Sequence, residues 1–254
     1  GGLAQLARAP ALHAGGHRFD SDILHKHFSN MKSTAHFFGD SFTCGHTLYK
    51  TSSIWPRLIA KGLDLKYKNY AQGGASPQFI INQVIKALPN IKEGDKVFLL
   101  ETVPDRIEVY NEYKDEIVSV TNGKLVDALE FGVPFDKNYF NNQDEIKSIF
   151  NFIYDHRYKK LNPFGKYFSS IFSDFGIFFK SIKVEYIHLP YKLSFANIQK
   201  GEMFETSRVA SNGSTADDHF SIKGHWQFAK FISKNYFNSS IKLPEEPKRG
   251  YNII

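Results

Sequence analysis

The chain has 254 residues, of which 42% are hydrophobic and 15% aromatic, and this predicts one domain with a substantial core. A single cysteine, Cys44, excludes an internal disulfide framework. The formal charge of +6 comes from lysines scattered among acidic residues, which favours a solvated surface over nucleic-acid binding.

The N-terminal residues differ in composition from the rest of the chain. Residues 1–30 are rich in Ala, Gly and Leu, whereas the chain after Met31 is rich in Lys, Phe, Ile and Asn. This shift predicts that residues 1–30 are a non-native or disordered leader. The sequence contains neither a run of roughly 20 apolar residues nor the apolar core of a secretory signal. We therefore expect a cytoplasmic protein without a membrane span.

After Met31, strand-like and helix-like segments alternate, which predicts an α/β fold with a parallel sheet covered by helices on both faces. The predicted strands are 34–39, 66–71, 96–102 and 184–189. The predicted helices are 53–62, 77–88, 144–160, 165–179 and 222–236. One domain is expected over 31–237, with an irregular excursion at 110–141 and an extended tail at 238–254.

The tetrapeptide Gly39-Asp40-Ser41-Phe42 stands where the first predicted strand gives way to a turn. Glycine lets the backbone turn sharply, and a helix that starts just after Ser41 would aim its amide groups at an oxyanion formed there. Asp40 is expected to fix the turn by accepting backbone amides. A serine hydroxyl is a poor nucleophile without a base, and the candidate base is His219.

Further candidate residues follow the other predicted strands. Gly73 and Gly74 follow the second strand, Thr102 ends the third, and His219 precedes the last helix. Ligands of such sheets bind at the carboxyl ends of the strands, so these residues are expected to converge there. His225 is expected to lie on the last helix and to have a packing role.

Two blocks of the sequence resemble the SGNH/GDSL hydrolase family of serine esterases and acyl hydrolases. Residues 39–45, Gly-Asp-Ser-Phe-Thr-Cys-Gly, resemble the family's first block, and Asp217-Asp218-His219 followed by Gly224 resembles its last. The resemblance implies a three-layer α/β/α fold with a flavodoxin-like parallel sheet. It also implies that Ser41 is the nucleophile, that His219 is the general base and that an aspartate orients the imidazole.

The resemblance does not decide which of two aspartates orients the His219 imidazole. In the commonest form of the last block, the aspartate stands three residues before the histidine, and that position here is Ala216. Asp217 is the preferred acid because some relatives resemble its spacing from the histidine. Asp218 is the alternative, although a side chain directly adjacent to His219 would usually point elsewhere.

The oxyanion hole is implied by the same resemblance. The backbone amide of Ser41 is one expected donor, and residues 69–76 resemble the second block, which implies that the amide of Gly74 is another. The family's third block commonly supplies an asparagine, but residues 101–106 read Glu-Thr-Val-Pro-Asp-Arg. Either Thr102, through its hydroxyl, or Arg106 could replace that asparagine. Arg106 could instead pair with Glu101 or Glu108.

These residues favour a carboxylic-ester hydrolase that acts on a small-molecule, glycan or lipid ester. An acyltransferase would use the same residues with a sugar hydroxyl in place of water. The missing asparagine also leaves open a non-catalytic carbohydrate-binding or structural protein on a degenerate hydrolase scaffold. No cofactor or metal is expected, because the sequence contains no metal-ligand cluster, phosphate loop or nucleotide fingerprint.

Overall fold

The structure is a computed structural model of the chain. It describes residues 32–45, 48, 51–103, 106–111, 116–120, 148, 163–190 and 219–247. The predictions for residues 1–30 and for Asp217 and Asp218 lie outside the described residues, as does nearly all of the predicted helix 144–160.

The described strands are, in chain order, β1 (Thr34–Phe38), β2 (Lys66–Asn69), β3 (Lys96–Leu100), β4 (Ile107–Asn111), β5 (Glu116–Val120) and β6 (Glu185–Leu189). A four-stranded sheet has the order β2-β1-β3-β6, and all of its pairs are parallel. This order begins like that of a flavodoxin-like sheet, in which the chain reverses its direction of winding at the strand β1.

The described helices are α1 (Ser41–Cys44), α2 (Trp55–Gly62), α3 (Pro77–Ala87), α4 (Pro163–Ser181) and α5 (Ile222–Tyr236). Serine side chains cap two of them, because Ser76 accepts from the Phe79 amide and Ser221 from the Gly224 amide, both at 3.0 Å. Within the described residues, no helix has both the length and the apolar character to cross a bilayer.

Apolar side chains fill the space on both faces of the sheet. In β1, Phe37 belongs to a cluster with α2 and α5, whereas Phe38 belongs to a cluster with α3 and α4. This division follows from the alternation of side chains along a strand. The predicted three-layer α/β/α architecture, a flavodoxin-like parallel sheet with helices on both faces, is therefore confirmed.

The strands end earlier than predicted. Gly39, residues 70–71 and residues 101–102 were expected to extend β1, β2 and β3, but the ladders stop before them. These residues leave the sheet at its carboxyl edge and form the loops described below. A further difference is the antiparallel hairpin β4–β5, in which Ile107 is paired with Val120. The hairpin overlaps the start of the segment 110–141, which was expected to be irregular.

Candidate active site

Ser41 is the first residue of α1 and lies in the turn that follows β1. The β1 turn (residues 39–45) is held by Asp40, whose Oδ1 accepts the Phe42 amide at 3.1 Å and whose carbonyl accepts the amides of Thr43 and Cys44 at 2.9 Å. Asp40 therefore fixes the turn, as its sequence position suggested.

The hydroxyl of Ser41 is buried, and it has no hydrogen-bond partner among the described residues. Leaving a buried polar group unpaired costs about 1–3 kcal/mol, so such groups are rare in native structures and require an explanation. A hydroxyl that is kept for a reaction partner would explain the arrangement at Ser41.

Close packing explains the glycine that precedes this turn. A Cβ at Gly39 would lie 2.3 Å from Thr43 Oγ1 and 3.2 Å from the Leu100 carbonyl oxygen. No side chain fits there, because the end of β1, helix α1 and the end of β3 meet at this point. Gly39 thus allows the turn to sit directly on the sheet edge.

A buried polar cluster lies against the β1 turn. The Oδ2 atom of Asp40 accepts the Thr102 hydroxyl at 2.8 Å and Arg106 NH1 at 2.9 Å. Arg106 NH1 also donates to Thr102 Oγ1 at 2.8 Å. Because a threonine hydroxyl has one proton, and that proton is donated to Asp40, the Thr102 hydroxyl cannot also donate to an oxyanion. In this geometry the expected oxyanion role of Thr102 is not supported.

Arg106 forms its ion pair with Asp40 rather than with either glutamate suggested by the sequence. Glu101 Oε1 instead lies 2.7 Å from His188 Nε2. Glu108 accepts the hydroxyl of Ser76 at 3.2 Å, and burial raises the pKa of Glu108 above its usual value. Arg106 is therefore directed towards the β1 turn.

The β2 loop (residues 70–76) lies beside the β1 turn, and its Gln72 amide donates to the Gly39 carbonyl at 3.4 Å. The last residue of β2 also contacts the turn. Asn69 donates from Nδ2 to the Thr43 carbonyl at 3.1 Å, and its Oδ1 accepts the Ala71 amide at 3.1 Å. Within this loop Gly74 has a φ of +77°, and a Cβ there would have no neighbouring atom within 4 Å. The loop therefore presents its backbone to open space at Gly74, while the oxyanion role of that residue stays a prediction.

His219 lies on the same side of the molecule as the β1 turn. Its ring centroid is 5.2 Å from that of Phe42, the residue that follows Ser41. The ring forms no hydrogen bond with the Ser41 hydroxyl in this structure. In enzymes without substrate such hydrogen bonds are commonly long and tighten when substrate binds. The two residues expected to share a proton thus lie in the same region despite their separation in sequence.

The chain was compared with protein families, curated proteins and solved structures. No protein-family model and no curated protein matches the sequence. A member of the lipolytic protein G-D-S-L family from Veillonella parvula is a similar solved structure, with 12% identity, a TM-score of 0.37 and coverage of 81% of this chain and 98% of that chain.

Two further solved structures are similar to the chain. A family two carbohydrate esterase from Clostridium thermocellum has 13% identity and a TM-score of 0.34 over 80% of this chain and 64% of its own. The salicylyl-acyltransferase SsfX3 from a tetracycline biosynthetic pathway has 14% identity and a TM-score of 0.39 over 83% of this chain and 56% of its own. The function proposed below rests on this chain's own residues.

The architecture of the described residues is a parallel sheet in the order β2-β1-β3-β6 with helices on both faces. The fold is a flavodoxin-like three-layer α/β/α fold. Ser41 and Gly74 lie in loops at the carboxyl edge of the sheet, where the sequence placed them, and their catalytic roles, like that of His219, stay predictions. Sequence reasoning missed Asn69, whose position at the start of the second block could have revealed it.

A pair of hydrogen bonds from Trp55, which join α2 to α5 and to the β1 turn, was also missed. Trp55 donates from its backbone amide to His225 Nδ1 at 3.3 Å and from its indole Nε1 to the Phe42 carbonyl at 3.0 Å. Burial, together with the nearby His219, lowers the pKa of His225 to about 3. His225 is therefore a neutral acceptor that joins α5 to α2, in keeping with the packing role expected of it.

The buried His225 predicts a loss of stability in acid. A histidine in the unfolded chain titrates near about 6.5, so between that pH and about 3 the unfolded state binds a proton that the folded state does not. Stability therefore falls as the pH falls through this window. From pH 8 to pH 5, we expect His225 alone to lower the free energy of unfolding by about 2 kcal/mol.

Urea denaturation at pH 8 and pH 5 measures this effect. Burial also lowers the pKa of His36, in spite of its contact with Asp95. His36 therefore also lowers the free energy of unfolding in acid, and it does so in both the wild type and the variant. His225→Gln is the matched variant because glutamine does not titrate and its carbonyl can accept the Trp55 amide. The prediction is wrong if wild type and His225→Gln lose the same stability between the two pH values.

Proposed function

We propose that the protein is a serine hydrolase that cleaves carboxylic esters through an acyl-enzyme on Ser41. The observation that carries this proposal is the buried Ser41 hydroxyl in the turn after β1, which has no hydrogen-bond partner in the described part of the chain, with the His219 ring packed against the adjacent Phe42. A hydroxyl without a hydrogen bond keeps its lone pairs and its proton for the reaction.

In the proposed reaction, Ser41 Oγ forms a bond to the ester carbonyl carbon while His219 accepts the hydroxyl proton. The tetrahedral intermediate collapses, the bond to the alcohol oxygen breaks, and His219 returns the proton to the departing alcohol. Water then attacks the acyl-enzyme with His219 again as the base, which releases the acid and restores Ser41. Asp217 is the proposed residue that orients the imidazole, with Asp218 as the alternative.

Backbone amides are the proposed oxyanion donors. The amide of Ser41 begins α1, and the amide of Gly74 belongs to the loop that is open to space. Removal of one such donor from an enzyme typically costs about 3–4 kcal/mol of transition-state stabilisation. With Thr102 donating to Asp40 instead, we expect a slower enzyme than one that has a third donor.

Hydrolysis of p-nitrophenyl acetate by the purified protein tests the proposal. We expect turnover in the wild type and a loss of about 10³-fold or more in His219→Ala, since the nucleophile then lacks its base. His13→Ala, in the predicted leader, is the matched histidine control and should keep wild-type activity. An inactive wild type, or an active His219→Ala variant, would contradict the proposed mechanism.

Product analysis separates hydrolysis from acyl transfer. When sugars are added as acceptors, a hydrolase yields the acid, whereas an acyltransferase yields a sugar ester at the expense of the acid. His219-dependent formation of either product also rules out a non-catalytic scaffold. We expect the acid to be the main product.

A further inference from the structure

Arg106 joins the loops that surround Ser41. Its NH1 atom lies 2.9 Å from Asp40 Oδ2 in the β1 turn, 2.8 Å from Thr102 Oγ1 after β3 and 3.2 Å from the Ala75 carbonyl oxygen in the β2 loop. Because NH1 has two protons, two of these acceptors share one of them. Each of these segments follows a different strand of the sheet. One nitrogen therefore connects the residue before the proposed nucleophile to the residue after Gly74.

Resting on the proposed function, we infer that Arg106 is a positioning residue, which holds the Ser41 turn and the Gly74 loop in the relative placement that acylation needs. It acts through Asp40 and Ala75, because its NH1 atom is used by protein acceptors. Where the family commonly places an asparagine that contacts the oxyanion, this chain has a cation that fixes the loops carrying the other donors.

The energetics of this contact favour a role beyond stability. The Arg106 side chain is only 10% exposed and Asp40 only 2% exposed. A buried ion pair of this kind contributes little net stability compared with apolar side chains of similar size. In addition, Arg106 Nε is buried without a partner among the described residues, which costs further stability. The pair is better explained by the geometry that it imposes.

Thr102 provides a second, independent test of the same cluster. Its hydroxyl donates to Asp40 and accepts from Arg106, so it fixes the direction from which the guanidinium approaches. Thr102→Val removes the hydroxyl with little change of shape, whereas Thr102→Ser keeps it. This pair of variants separates the hydrogen bonds from the packing of the side chain.

The experiment compares Arg106→Met, Arg106→Lys, Thr102→Val and Thr102→Ser with the wild type. For each protein, kcat, KM, the rate of Ser41 labelling by a fluorophosphonate and the urea midpoint are measured. We expect Arg106→Met to lower kcat and the labelling rate by about 100-fold with little change in KM, because misplacement by about 1 Å costs that much. Arg106→Lys should restore most of the rate, since an ammonium group has three protons, one for each of the three acceptors around Arg106 NH1.

Lys183→Met is the control. Lys183 pairs with Glu93 at 2.9 Å, and both residues precede the amino ends of strands, β6 and β3, at the opposite edge of the sheet from Ser41. We expect this variant to have wild-type kinetics. If Arg106→Met does not fold, Thr102→Val provides the test. We expect Thr102→Val to lower kcat and the labelling rate, and Thr102→Ser to keep both.

Three outcomes would overturn the inference. A wild type that is neither labelled nor active removes the proposed function together with this role. A reactive wild type with unchanged kcat in folded Arg106→Met and Thr102→Val removes this role alone. A raised KM with unchanged kcat in Arg106→Met would assign Arg106 to substrate binding instead.

Discussion

Ser41→Ala is expected to lower kcat/KM for ester hydrolysis by about 10⁴-fold or more, because the variant has no atom that can form the acyl-enzyme. The same substitution should leave the free energy of unfolding unchanged or slightly increased. The hydroxyl has no hydrogen-bond partner among the described residues, so its removal relieves a buried unpaired group. Ester turnover and urea denaturation of the same preparation measure both effects.

The combination of the two results is more informative than either alone. A residue that is retained for catalysis at a cost in stability gives an inactive and equally or more stable variant. If Ser41→Ala is inactive but also loses stability, the hydroxyl has a structural partner and the loss of activity is indirect. If the variant keeps wild-type turnover, Ser41 is not the nucleophile.

Asp40→Ala is expected to lower the free energy of unfolding by about 3–5 kcal/mol, the cost typical of removing one member of a buried ion pair. The Arg106 guanidinium would remain buried without its carboxylate, and the Phe42 amide would lose its acceptor at the start of α1. Such a loss is a large fraction of the stability of an ordinary domain. Urea denaturation measures it.

A double-mutant cycle with Arg106→Met tests the physical reason for this loss. Because the uncompensated charge causes most of the cost, Asp40→Ala should be much less damaging in the Arg106→Met background. We expect a coupling energy of about 2–3 kcal/mol. A coupling energy near zero would show that Asp40 stabilises the turn without its contact to Arg106.

Local sequence patterns were sufficient to predict the four strands of the parallel sheet and most of the described helices. Helix α5 has the predicted bounds, 222–236, because its apolar periodicity is regular and its start is marked by Ser221. The ends of β1 to β3 were less predictable. Thr102, for example, lies two residues beyond an apolar run and is buried, but β3 ends at Leu100 and the Thr102 hydroxyl donates to Asp40.

The candidate site was predictable only where a residue carries a local signal. Ser41 and His219 stand in recognisable blocks at a strand end and before a helix. The partner of Arg106 was not predictable, because Asp40 is 66 positions away and nearby glutamates were equally plausible from the sequence. Whether a side chain contacts an oxyanion or another side chain is decided by tertiary packing, as Thr102 illustrates.

Mass spectrometry of the protein after treatment with a fluorophosphonate tests the central claim most directly. The account predicts a single covalent adduct on the peptide that contains Ser41, absent from Ser41→Ala and strongly reduced in His219→Ala. An unmodified wild-type protein, or an adduct at another residue that persists in Ser41→Ala, would contradict it.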